Sequence, residues 1–160
     1  MQRVSSLNLL YPPFLVRFVK GLKNAQDAGF PVKEFETFRS FERQDHLYSL
    51  GRTKKGKIVT NARAGRSFHQ YGIASDIAMF INGQWTWTDP KSYVAVAPYF
   101  EKEGLQWLGR KSNDLTHYQL KVEFSIYELE NIYKTENLLG VWTKLNERYG
   151  DHDIWKTLQT

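Results

Sequence analysis

Residues 66–80, RSFHQYGIASDIAMF, set His69 and Asp76 on either side of Gly72 and run directly into an apolar stretch. Such a run, entered through a glycine, reads as a strand near the core. The polar pair at its entrance is open to two readings: two ligands of a metal site, or a polar turn feeding a buried strand. His and Asp seven positions apart do not decide between them. What decides is whether the rest of the chain supplies further ligands and catalytic groups.

Upstream, Leu15, Phe18, Val19 and Leu22 fit one face of a helix over residues 13–28, with Pro12 and Pro13 before it and Gly29 after it. PVKEFETF (31–38) alternates as a strand does. SFERQDHLYSLG (40–51) reads as a helix with Ser40 as its N-cap and Gly51 as its stop. Residues 52–67 form a long basic loop. Downstream of the strand at 72–81, Asn82-Gly83 signals a hairpin into GQWTWT (83–88). A helix is expected over 91–104 and a last strand at THYQL (116–120). From Ser125 the pattern is helical again, Ser125 and Glu128 having capping-box spacing.

These elements predict an α+β fold, a small mostly antiparallel sheet with flanking helices. At 160 residues the chain has room for one domain with a real core and not for two. Residues 1–121 hold every candidate for chemistry, and 122–160 are expected to be a helical C-terminal extension packed on or next to them. In that extension Leu129, Ile132, Tyr133, Leu138, Leu139 and Trp142 suit two helices covering the core. A small acidic docking element or lid is the other reading.

With no cysteine there is no disulfide and no thiolate ligand, so any zinc site must use histidine and carboxylate. Aromatic residues make up 15% of the chain, enough to line a core or a cleft with flat rings. Charge is uneven. Residues 1–121 hold 18 Lys/Arg against 10 Asp/Glu, and residues 122–160 hold 4 against 7. The basic part suits an anionic partner, or simply a solvated surface. The N-terminal stretch is interrupted by Asn8, Pro12 and Pro13 and is followed by no small-residue cleavage site, so it does not read as a secretory signal. No segment approaches the roughly 20 apolar residues of a membrane span. A soluble cytoplasmic product is expected.

Four histidines are available. His46 falls on the face of a predicted helix beside Asp45, and His152 lies in a terminal turn between two carboxylates. His69 and His117 each adjoin a predicted strand. With Asp76 they meet the three-ligand count of a catalytic zinc site, whose fourth position is left for water. Zinc lowers the pKa of a water from 15.7 to about 7. Asp114, three residues before His117, is placed to take that water's proton. Spacing alone leaves this arrangement open.

A resemblance narrows it. SFHQYGIASD (67–76) matches the S-x-H-x-x-G-x-A-x-D signature of the zinc-dependent D-alanyl-D-alanine and L-alanyl-D-glutamate peptidases, and DLTHYQ (114–119) resembles their second signature, D/E-x-x-H. FRSFERQDHLYSLGRT (38–53) is similar to a block of the L-alanyl-D-glutamate branch, which includes phage endolysins. IVTNARAGRSFH (58–69) extends the match in register. The four blocks cover roughly residues 30–121. Thr116 stands where a proline is common and Tyr118 where Phe is common; neither change removes a ligand.

The resemblance implies a hedgehog/D-Ala-D-Ala peptidase type of fold and one zinc per chain, held by His69, Asp76 and His117. It implies Asp114 as general base, Arg39 stabilising the oxyanion, and Gln44 and Ser67 along the substrate groove. For Arg39 a strand-end ion pair is the structural alternative. The implied activity is hydrolysis of the L-Ala–D-Glu bond in bacterial peptidoglycan by an endolysin. Such an enzyme is stored in the host cytoplasm and reaches the periplasm and wall at lysis. A D,D-carboxypeptidase or dipeptidase on the same scaffold is the nearest alternative. A non-catalytic wall- or nucleic-acid-binding module with a structural metal is the other. Its basic loop would use Arg52, Lys54, Lys55, Lys57, Arg63 and Arg66, but it lacks interleaved aromatics for base stacking. No nucleic-acid partner and a monomer are expected.

Overall fold

The computed structural model describes residues 2–87 and 89–150. Among them the chain forms strands β1 (Val32–Glu36), β2 (Ala74–Ile81), β3 (Gln84–Thr86), β4 (Leu105–Trp107) and β5 (His117–Leu120). The helices are α1 (Pro12–Asp27), α2 (Phe41–Ser49), α3 (Pro90–Glu101) and α4 (Ile126–Tyr149). Short 3₁₀ turns occupy Leu7–Leu9, Phe68–Tyr71 and Leu108–Arg110. This is the expected α+β architecture.

β2 is the spine. It is buried along most of its length, which is why it reads as a continuous apolar run. β1 lies along one edge, with Val32 opposite Met79 and Glu36 opposite Asp76, and an irregularity between Glu34 and Glu36. Along the other edge, β5 sets His117 opposite Asp76, while β3 folds back against Met79–Ile81. β4 pairs with β5. All pairings between these strands are antiparallel. Asn82 and Gly83 both have positive φ (51° and 78°), as a two-residue hairpin turn requires. The register thus places Glu36, Asp76 and His117 side by side on three adjacent strands.

α1 begins on Pro12-Pro13, where missing N–H groups cost nothing. Its buried face is Pro13, Phe14, Phe18, Gly21, Leu22 and Ala25. The expected stripe was rotated, for Val19 is exposed and Leu15 only partly buried. Phe14 and Gly21 explain the difference. Phe14 stacks on Phe18 at 5.6 Å, and a Cβ on Gly21 would lie 2.8 Å from the Phe100 ring of α3, so the helices approach along that line. Ser40 caps α2 as expected, its hydroxyl accepting from the Arg43 N–H at 3.1 Å.

The C-terminal helical run starts on the Ser125–Glu128 capping box and breaks at Asn137, whose φ of 59° and ψ of −165° are not helical. The Asn137 side chain then accepts from the Leu139 N–H at 2.8 Å, restarting the helix. Leu129 from the first half, and Val141 and Leu145 from the second, are fully buried in the same core as α1, β2 and α3. Tyr133 lies against Phe41 at 4.6 Å, and the Trp142 indole N–H donates to the Tyr71 carbonyl at 2.9 Å. The extension therefore braces the 3₁₀ turn that carries His69. His152 lies outside the described residues.

Candidate active site

Three elements deliver the candidate ligand atoms. His69 comes from the 3₁₀ turn, Asp76 from β2 and His117 from the start of β5. Gly72 closes the turn at φ 70°, and a Cβ there would sit 2.5 Å from the Leu9 carbonyl oxygen, so the turn cannot be made with another residue unstrained. His69 Nε2 lies 3.1 Å from His117 Nδ1 and 3.3 Å from Asp76 Oδ1, and His117 Nδ1 lies 3.1 Å from the same oxygen. Zn–N and Zn–O bonds of about 2.0–2.1 Å at tetrahedral angles put neighbouring ligand atoms about 3.3 Å apart. The triangle fits such an ion.

The outward nitrogens fix the tautomers. His69 Nδ1 is 2.6 Å from the Thr37 carbonyl oxygen, which only accepts, so Nδ1 carries the hydrogen and Nε2 turns its lone pair inward. His117 Nε2 donates to Gln119 Oε1 at 3.0 Å, and the Gln119 amide nitrogen in turn donates to Gln106 at 3.1 Å, so Nδ1 of His117 is likewise a bare acceptor. Three acceptors converge with no hydrogen among them. That donor set calls for a cation.

The charges agree. Burial alone would push the Asp76 carboxyl up, but the charges and hydrogen bonds of His69 and His117 outweigh it and hold Asp76 well below the usual carboxylate range. Burial pushes the His69 imidazole down. It pulls on His117 in the same direction, but the hydrogen bond and charge of Asp76, with the charge of Asp114, leave His117 raised.

Around the triangle lies a cleft of about 400 Å³ whose walls include Arg39, Ser67, Asp114 and Ile126. Asp114 is exposed at its rim, where the Thr116 hydroxyl donates to Oδ1 at 3.2 Å. Thr116, the position departing from the expected proline, thus orients this carboxylate. Arg39 is almost buried. It donates twice to Glu36 Oε2 (2.6 and 3.0 Å), to Asp76 Oδ2 at 3.0 Å and to Gln44 Oε1 at 3.1 Å. The structural alternative for Arg39, an ion pair at the strand end, is therefore present, and the same side chain also lines the cleft.

Gln44 departs from the expected groove position. It is fully buried, and its amide donates to the Ala62 carbonyl at 2.6 Å while accepting from Arg39. It supports the wall from beneath. Glu36 was not anticipated. A buried carboxylate held by Arg39 and by Arg43 (3.0 Å), it ties β1 to the metal side of the cleft. In sequence it sits in an ordinary alternating strand with nothing to mark it.

Fold and donor set together resemble those of the zinc-dependent D-Ala-D-Ala and L-alanyl-D-glutamate peptidases. Residues 60–120, which contain all three candidate ligands, match the family model described as D-alanyl-D-alanine carboxypeptidase. A 55-residue stretch is 56% identical to the peptidoglycan L-alanyl-D-glutamate endopeptidase CwlK of Bacillus subtilis (strain 168), covering 34% of this chain and 33% of that protein. The chain thus matches about a third of the length of this curated relative. Among solved structures, the L-Ala D-Glu endopeptidase ChiX of Serratia marcescens superposes with a TM-score of 0.55 at 20% identity, over 75% of this chain and 90% of that one. A variant of the vancomycin-resistance D,D-pentapeptidase VanY, in complex with Zn(II), gives a TM-score of 0.56 at 17% identity, over 81% and 83%. At these identities the two structures speak for the fold.

Proposed function

We propose that this protein is a zinc peptidase hydrolysing the L-Ala–D-Glu bond of peptidoglycan stem peptides. The observation that carries the reading is the convergence of three hydrogen-free acceptors, His69 Nε2, Asp76 Oδ1 and His117 Nδ1, beside an exposed carboxylate in an open cleft. The local identity to an L-alanyl-D-glutamate endopeptidase supports the choice of bond. One zinc per chain, held by these three residues, would supply Lewis acidity and an acidified water at neutral pH.

The chain's own residues do the rest. Asp114 accepts the proton of the attacking water and passes it to the D-Glu nitrogen as the C–N bond breaks, leaving a carboxylate on L-Ala and an amine on D-Glu. Arg39 sets its positive charge at the cleft wall, where the scissile carbonyl oxygen becomes negative. Its bond to Asp76 Oδ2 also orients that ligand. Ser67, at the head of the His69 turn, lines the substrate groove.

As a biological role we infer an endolysin, acting on the wall after release from a host cytoplasm, as a monomer and without a nucleic-acid partner. No helix among the described residues is long and apolar enough to cross a membrane. The matching family description, D-alanyl-D-alanine carboxypeptidase, favours a second reading in which terminal D-Ala is removed. Mass spectrometry of purified peptidoglycan treated with the zinc-loaded protein separates the two. New N-terminal D-Glu on intact glycan supports the endopeptidase. Free D-Ala as sole product supports the carboxypeptidase, and new reducing sugar ends would remove both.

A further inference from the structure

The cleft does not stop at the ligands. A second lobe of about 400 Å³ shares Arg39, Thr60, Asp76 and Thr116 with the first and runs over the sheet to Phe35 and Trp87. There the aromatic rings gather. Trp87 stands edge-on to Phe35 at 4.4 Å and Trp85 does so at 5.1 Å, while Trp85 also meets Phe80 at 4.9 Å. None of these rings belongs to the hydrophobic core, and Trp87 is 44% exposed. Arg3 and Lys33 place cationic heads 3.8 and 4.0 Å from the Phe35 and Phe80 rings.

The register gives the spacing. Thr86 lies opposite Met79, so Trp87 comes level with Ala78, two residues along β2 from the ligand Asp76. Two strand residues span about 7 Å.

We propose that this aromatic lobe is a sugar subsite, taking the pyranose ring of the glycan strand that bears the stem peptide. The inference rests on the proposed L-Ala–D-Glu cleavage. In peptidoglycan the L-Ala nitrogen is acylated by a lactyl group carried on the amino sugar. The scissile carbonyl and the sugar are therefore separated by about two chain units, each reaching roughly 3.3–3.6 Å. That span matches the distance from Asp76 to the level of Trp87. A pyranose presents an apolar C–H face and a polar rim. An exposed indole covers the first, and Thr60 and Arg43 in the same lobe are polar partners for the second. A site that holds both sugar and metal-side peptide would prefer the first peptide bond of the stem to bonds further from the glycan.

The test uses ligands with no bond to cleave. Zinc-loaded protein is titrated with N-acetylmuramyl-L-alanine and with N-acetyl-L-alanine, following the indole N–H resonances. The sugar-bearing compound is expected to shift the Trp87 resonance and to bind about five- to tenfold more tightly, as one aromatic contact would give. Trp87→Ala should abolish that ratio and Trp87→Phe should keep most of it. Equal affinity for the two compounds, a ratio that survives Trp87→Ala, or shifts caused only by peptides from the D-Glu side would overturn the proposal. Neither ligand contains the L-Ala–D-Glu bond, so such a failure leaves the cleavage reading standing. Failure of the wall digest strikes that reading instead.

Discussion

His69 and His117 present bare nitrogens because backbone and amide oxygens hold their other nitrogens as donors, and this makes the supporting residues testable. Gln119→Leu removes the acceptor that fixes the His117 tautomer. Zinc affinity should fall about 10–100-fold with the fold intact, measured by competition with a chelator. An unchanged affinity would show that the imidazole is oriented by other means. Asp114→Asn keeps size and hydrogen bonding but cannot take a proton. It should retain zinc while turnover falls by roughly 10²–10⁴-fold. Near-normal turnover would move the base elsewhere, and loss of zinc would make Asp114 a ligand or its support. At this scale the convergence of the three candidate ligands was legible because their signatures sit on two short, locally folded segments. Glu36 and Gln44 were not. Each is polar in a polar-rich element, VKEFE or FERQDHLYS, where periodicity cannot say which polar side chain turns inward. Their burial is decided by Arg39, which reaches both.

Among the elements, those with end signals were legible. The Ser40 and Ser125 caps, the proline start of α1 and the Asn82-Gly83 hairpin all stand where the sequence places them. β4 and the 3₁₀ turn of His69 are harder to read, although Gly72 closes the turn. Three or four residues are too few for a period, and both exist through partners distant in sequence: β5 for the strand, and for the turn the second half of α4, which anchors the Tyr71 carbonyl. That anchor gives a prediction. Trp142→Phe keeps a ring in place but removes the indole donor, costing about 1 kcal/mol, or roughly 2–4 °C in Tm for a chain of this size. Truncation after Lys121 removes Leu129, Val141 and Leu145 as well, each fully buried and worth about 1.5–3 kcal/mol. The truncated chain should melt far lower and bind zinc less well. If its stability is unchanged while binding to walls is lost, α4 is a docking element rather than a brace.

Across the whole molecule, the basic surface is less free than its charge suggests. Arg52 and Arg63 lie against the Tyr48 ring, and Arg52 also holds the Thr60 carbonyl at 3.0 Å. Arg66 pairs with Glu130 of α4 at 2.7 Å. These cations shape the loop that walls the cleft, a role that a charge count cannot distinguish from binding a polyanion. The molecule is organised around the candidate metal site: N-terminal carbonyls hold Thr37, Thr37 holds His69, β2 and β5 set Asp76 against His117, and α4 supports the turn. The measurement that tests this organisation most directly is metal content and peptidoglycan cleavage on the same samples of wild type and His69→Ala. Wild type should carry about one zinc per chain and cut the wall, and His69→Ala should do neither. A His69→Ala protein that keeps a full complement of zinc, or that goes on cutting, would contradict the assignment.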